Sequence, residues 1–74
     1  MKARVYVTLK STVLDPQGQT VRSALVGLGH SGIHDVRQGK YFEITLDPGT
    51  DLDDIAREVL TNPVIEEYRI EYLS

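Results

Sequence analysis

The densest set of side chains able to do chemistry is Asp47, Asp51, Asp53 and Asp54, because carboxylates at short spacing can hold calcium or magnesium or exchange protons. Pro48 and Gly49 break the ligand pattern of a calcium loop, and acidic residues in the first turn of a helix complement its dipole, so helix capping is the stronger reading. His30 and His34 are four apart, a separation that serves a metal when both lie on one helix face. Here Gly29, Ser31 and Gly32 put them in a loop without a third ligand, which favours ordinary surface histidines. Gly27-Leu28-Gly29 closes a helix instead of opening one, whereas a phosphate cradle needs the free amides of a helix start. Ser11, Thr12, Ser23 and Ser31 have no histidine or lysine at a suggestive position, so the pattern offers no activated nucleophile.

These residues must be positioned by elements that the apolar periodicity marks out. Ala3, Val5, Val7 and Leu9 alternate with Arg4, Tyr6 and Thr8, which predicts a half-buried strand over Lys2 to Leu9. Asp15-Pro16 suits the cap and first turn of a helix, Val21, Ala24, Leu25 and Leu28 form its apolar stripe, and Gly29 can end it. Ile33 to Gln38 and Tyr41 to Leu46 are predicted as a hairpin around Gly39-Lys40. Thr50 or Asp51 caps a second helix with Leu52, Ile55, Ala56, Val59 and Leu60 as its stripe, and Asn62-Pro63 ends it. A last strand places Tyr68, Ile70 and Tyr72 opposite Arg69, Glu71 and Leu73.

The order strand, helix, strand, strand, helix, strand predicts the α+β class: a ferredoxin-like βαββαβ sandwich with an antiparallel four-stranded sheet and two helices on one face. Residues 1–74 then make a single domain. Shifting the chain by 32 positions aligns Leu14-Asp15-Pro16 with Leu46-Asp47-Pro48 and Leu28 with Leu60, the pattern of a duplicated half. A chain of 74 residues with 41% hydrophobic and 26% charged residues is long enough for one small core. Such a domain buries only about 60% of its unfolded surface and, without cysteine, has no disulfide to support it, so assembly as a dimer is expected. A net charge of −3 with scattered basic residues disfavours nucleic acid, no apolar run can span a membrane, and the absence of cysteine suits a cytoplasmic location.

The sheet face away from the helices should carry Tyr6 and Tyr41, on the two central strands of the ferredoxin-like order. Gly39-Lys40-Tyr41-Phe42-Glu43-Ile44 resembles the glycine-aromatic signature of RNA-recognition modules, so a small RNA-binding module using the open sheet face is an alternative. The net charge and Glu43 favour a protein interface instead, since Tyr and Arg are enriched there. Tyr6, Tyr41, Tyr68 and Arg69, with Arg37 and Lys40 flanking an exposed hairpin turn and Asn62-Pro63 at a second exposed corner, are the candidate subunit-interface residues. A phosphatase on this fold would need an arginine cradle beside an asparagine, but Arg4 lies within a strand and Asn62 in a far corner.

Leu14 to Gly18, Ala24-Leu25 with Leu28-Gly29, Val36-Arg37 with Gly39-Lys40, and Asn62 to Glu66 with Tyr68 stand in an order that resembles the PurS family. PurS is the small subunit of phosphoribosylformylglycinamidine synthase. His30 departs from the aromatic or apolar residue frequent in the family after Leu-Gly. The resemblance implies no catalytic residue, cofactor or metal in this chain, with ATP and magnesium used by a synthetase partner. It also implies a homodimer, or a tetramer built from it, that bridges a glutaminase subunit and a synthetase subunit. In purine biosynthesis these convert formylglycinamide ribonucleotide to its amidine.

Overall fold

The computed structural model describes residues 1–73. Strand β1 runs Lys2–Leu9, helix α1 Pro16–Gly27, strand β2 Gly39–Thr45, helix α2 Leu52–Ile55 with a π-helical continuation Ala56–Leu60, and strand β3 Glu66–Tyr72. The β1 alternation has the expected consequence: Ala3, Val5 and Val7 are at most 1% exposed, while Arg4 and Tyr6 face the other way. Leu52 and Ala56 descend from α2 onto this row to complete the buried core. Phe42, Ile44 and Leu46 flank it on the β2 side, and Tyr68 and Ile70 on the β3 side.

The sheet has three strands, in the order β2-β1-β3, both pairings antiparallel, and not the four expected. The missing strand is Ile33 to Gln38. Gly39 and Lys40 stand opposite Thr8 and Val7, so they open β2 and form no hairpin turn. The amides and side chains just before them have other partners: Gln38 N–H donates to Asp15 Oδ2 at 2.7 Å, and the Arg37 guanidinium donates to the Lys10 and Val13 carbonyls at 3.0 Å each. These bonds tie residues 37 and 38 to the loop after β1, so the chain cannot fold back along β2.

Helix α1 forms as its signals require. The Asp15 side chain accepts from Gly18 N–H at 2.9 Å and Pro16 occupies the first turn. At its far end Gly29 has φ 101°, Gly29 N–H bonds to Val26 O, and His30 N–H bonds to Leu25 O, the paired closure that a left-handed residue makes possible. Its position is the second departure: the two helices do not both cover the sheet. Only Gly18 of α1 is buried, no α1 residue joins the core, and Val21, Val26 and Leu28 are exposed. The molecule measures 48 × 26 × 13 Å, with a radius of gyration of 15.5 Å against about 11 Å for a compact chain of this length.

The two Leu-Asp-Pro segments also part company. Asp15 caps α1 directly, but α2 is capped by Asp51, which accepts from Asp54 N–H at 3.1 Å. Asp47 lies in the turn before it, where its carbonyl receives the amide and hydroxyl of Thr50. The acidic cluster is thereby accounted for locally: Asp54 pairs with Arg57 at 2.5 Å, and Asp53 accepts the Tyr68 hydroxyl at 3.2 Å. Among the described residues, no three His, Cys, Asp or Glu side chains are grouped so as to hold a metal ion.

Candidate subunit interface

Opposite the core, the odd-even pattern of β1 turns Arg4 and Tyr6 outward, and cross-strand register supplies their neighbours. Tyr6 lies between Tyr41 of β2 and Arg69 of β3, and Arg4 between Glu43 and Glu71. The Tyr6 and Tyr41 rings are 6.0 Å apart and tilted by 31°, and the Arg69 guanidinium carbon stands 4.4 Å above the Tyr6 ring. Arg4 lies 3.5 Å from Glu43 Oε1 and 3.6 Å from Glu71 Oε1, while Arg69 reaches Glu71 at 3.9 Å.

Exposed ion pairs of this kind contribute about 0–1 kcal/mol each, and a cation on an exposed ring about 0.5–1 kcal/mol. Their effect is therefore to arrange a surface more than to stabilise it. Two tyrosines and two arginines are held in fixed positions across three strands, with carboxylates between them. Among the described residues, Arg4 Nε is shielded from solvent and has no hydrogen-bond partner. Aromatic and arginine anchors set among compensating charges suit a protein surface. Glu43, Glu67 and Glu71 on the same face oppose a polyphosphate chain.

Three of the eight residues expected at an interface, Tyr6, Tyr41 and Arg69, thus come together. Tyr41 sits on an edge strand, not on a central one, because β2 has no outer neighbour. The other five are dispersed. Arg37 does not flank an exposed turn; it holds two carbonyls of the loop after β1. Lys40 lies within β2, facing the helix side opposite Val7, at the mouth of a shallow cleft of about 240 Å³ that also meets Asp15, Gln38 and Glu66. Asn62 organises a tight turn, its side chain accepting Val64 N–H and its own N–H donating to Glu66, while the Pro63 carbonyl receives the Lys10 ammonium. Tyr68 is half-buried beneath α2, where desolvation first and Asp53 second raise its hydroxyl pKa.

Arg4, Glu43 and Glu71 belong to the open face but were not among the eight interface candidates, although Glu43 was expected beside Tyr41. Their parity with Tyr6, Tyr41 and Arg69 was the available signal, since residues two apart on a strand share a face. Among the described residues, no helix is long and apolar enough to cross a membrane.

The family model for PurS, phosphoribosylformylglycinamidine (FGAM) synthase, matches residues 2–74. The chain is 50% identical over 72 residues to the phosphoribosylformylglycinamidine synthase subunit PurS of Mycobacterium leprae, covering 93% of this chain and 91% of that one. It superposes on the structure of Bacillus subtilis PurS with a TM-score of 0.85 at 45% identity, covering 95% of this chain and 94% of that chain. A chain in the structure of PurLQS from Thermotoga maritima superposes with a TM-score of 0.86 at 27% identity, covering 97% and 95% respectively. With a family match and superpositions that run nearly end to end, the chain belongs to the PurS family of phosphoribosylformylglycinamidine synthase subunits.

Proposed function

We propose that this chain is the non-catalytic small subunit of phosphoribosylformylglycinamidine synthase, and that as a homodimer it bridges the glutaminase and synthetase subunits in the cytoplasm. The match to the PurS model over residues 2–74 carries this reading. The chain found in the PurLQS structure supports it, because that relative has the same fold over almost the same length. The glutaminase releases ammonia from glutamine. The synthetase, with ATP and magnesium, joins that ammonia to formylglycinamide ribonucleotide to give the amidine in purine biosynthesis.

A bridging subunit contributes to this reaction without touching a reacting atom. Ammonia released into water at neutral pH is mostly protonated and no longer nucleophilic, so its use depends on two active sites held in register. The Tyr6, Tyr41 and Arg69 cluster is the surface we assign to contact with a partner subunit. The RNA-binding alternative gains no support from any relative.

The direct test measures amidine synthesis by the glutaminase and synthetase chains with either glutamine or ammonia as donor, in the presence and absence of this protein. A bridge restores the glutamine-dependent rate and leaves the ammonia-dependent rate much less affected. No change in either rate, with partner chains shown to be competent with their own small subunit, would overturn the proposal.

A further inference from the structure

The open face of the sheet is not flat. Between β1 and β3 it carries a trough of about 390 Å³ lined by Tyr6, Thr8, Glu67, Tyr68 and Arg69. On the β2 side the trough has no wall, because the residue opposite Thr8 is Gly39. A Cβ at Gly39 would stand 2.6 Å from the Val7 carbonyl oxygen and 2.8 Å from Thr8 Cγ2, so this row of the sheet stays low. In the next row on the same face the Tyr41 and Tyr6 rings stand side by side, and Tyr41 is 59% exposed. A long side chain laid across Gly39 and Thr8 therefore has two aromatic rings along its flank and the Glu67 carboxylate at its end.

The charges around the trough are unequal. Arg4 lies between Glu43 and Glu71, and Arg69, stacked on Tyr6, turns to Glu71. Two guanidinium groups are thus matched with two carboxylates. Glu67 is a third carboxylate, exposed and, among the described residues, without an ion-pair partner. The nearby ammonium groups are directed elsewhere, that of Lys10 to the Pro63 carbonyl and that of Lys40 to the Phe42 ring. Lys2, at the start of β1, is about 20 Å along the strand from Thr8. Tyr6 has a guanidinium over its ring, whereas among the described residues Tyr41 has no cation over its own.

One cation from outside the chain answers both the unpaired carboxylate and the uncovered ring. Arginine suits the place better than lysine, because its planar group stacks on an aromatic ring, meets a carboxylate with two parallel bonds and gives up its hydration more readily. Arg69 with Tyr6 and Glu71 is the same chemistry inside the chain. The two enzymes to be bridged differ in the charge that they must attract. The synthetase takes ATP and a ribonucleotide, both phosphate-bearing anions, while glutamine has no net charge. A surface that gathers anions is basic, so the synthetase is the partner whose charge complements Glu67.

We infer that the trough receives an arginine of the synthetase subunit, which lies along the Tyr41 and Tyr6 rings and pairs with Glu67. This inference rests on the bridging reading above and gives its open-face contact a partner and a chemistry.

The test uses the reconstituted enzyme and the absence of cysteine from this chain. Thr8→Cys, at an exposed position, carries a benzophenone that is photo-activated in the assembled complex, and mass spectrometry identifies the peptide it reaches. The expected product joins this chain to a synthetase segment that contains an arginine. A product with the glutaminase or with another copy of this chain would overturn the inference. The second readout titrates this chain into limiting partner chains and follows the glutamine-dependent rate. Glu67→Lys should raise the concentration needed for half the maximal rate about tenfold, and the isosteric Glu67→Gln by less. Glu58→Lys makes the same charge change on α2 and should leave the titration where it is. Wild-type titrations for both Glu67 variants, or an equal shift for Glu58→Lys, would also overturn the contact while leaving the bridge intact. A wild-type chain that does not restore the glutamine-dependent rate at all would overturn the bridging reading, and this inference with it.

Discussion

Gly18 shows how a single position can reverse an ordinary rule. Replacing a helical glycine with alanine usually stabilises by about 0.5–1 kcal/mol, because alanine loses less backbone freedom on folding. Here an added Cβ would collide with the Val36 carbonyl oxygen and crowd the Asp15 carboxylate at 2.8 Å. Gly18→Ala should therefore lower the melting temperature and accelerate exchange of the Gln38 amide, whereas Gly27→Ala, whose Cβ meets nothing within 4 Å, should raise the melting temperature slightly. Equal effects at the two positions would contradict this account of how the start of α1 is held. Asp15 gives the matching pH prediction. The Gln38 amide first, and the Gly18 amide second, hold its carboxyl below the usual carboxylate range. A depressed carboxylate contributes stability that is complete above its unfolded pKa, about 3.9, and is lost as the pH falls through the lower folded value. Asp15→Asn should thus be less stable than wild type at neutral pH, with the gap closing below about pH 4 in chemical denaturation series. A gap that stays constant down to acid would remove the ionised carboxylate from the explanation.

At the scale of elements, the core depends on one short helix over three strands, and Leu52 is its largest fully buried side chain. Leu52→Ala should cost about 2–5 kcal/mol, the usual range for a buried leucine. In a domain of this size that lowers the melting temperature by roughly 10 °C or more. Scanning calorimetry checks it, and a loss of only a degree or two would mean that the core lies elsewhere. The elements that could be read in the sequence are those whose pattern is local and whose burial agrees with it. Lys2–Leu9 alternates and is buried accordingly, and Asp15, Pro16 and Gly29 mark the ends of α1 through bonds that span a few residues. The predicted strand Ile33 to Gln38 failed for the opposite reason. What holds Gln38 is a carboxylate 23 positions away, and what holds Arg37 is a pair of carbonyls 24 and 27 positions away, none of which leaves a trace in local periodicity. The α1 stripe was recognised correctly as an apolar face. Its destination was not, because the spacing of Val21, Leu25 and Leu28 marks an apolar face and does not specify where that face lies relative to the sheet. The open face was legible in part: parity located Tyr6, Tyr41 and Arg69, while the Arg4 pairs with Glu43 and Glu71 depended on a register that only the assembled sheet defines.

For the whole molecule, the elongated shape and the open face lead to two separable behaviours. If the chain assembles as the homodimer proposed above, mass action stabilises the folded state, so its melting temperature should rise with protein concentration. A melting temperature independent of concentration across a dilution series that spans the dimer dissociation would contradict the homodimer. The open face bears on coupling instead of folding, because its exposed ion pairs and stacked guanidinium contribute little to stability. Tyr6→Ser/Arg69→Glu removes the two central anchors and reverses one charge, yet leaves Ala3, Val5 and Val7 packed beneath α2. If that face meets a partner subunit, the variant should stay folded and dimeric while the glutamine-dependent rate of the reconstituted enzyme falls at least tenfold, the consequence of losing about 1.4 kcal/mol of association at limiting subunit. The ammonia-dependent rate should change far less, and excess variant should recover part of the glutamine-dependent rate. Raising the salt should reproduce part of the defect in wild type, since a surface of exposed Arg and Glu pairs is screened within roughly 8–10 Å at physiological ionic strength. Full glutamine-dependent activity in the variant at limiting concentration would clear the open face of this role and direct attention to the Lys40 cleft and the Asn62 turn as the remaining surfaces for a bridge.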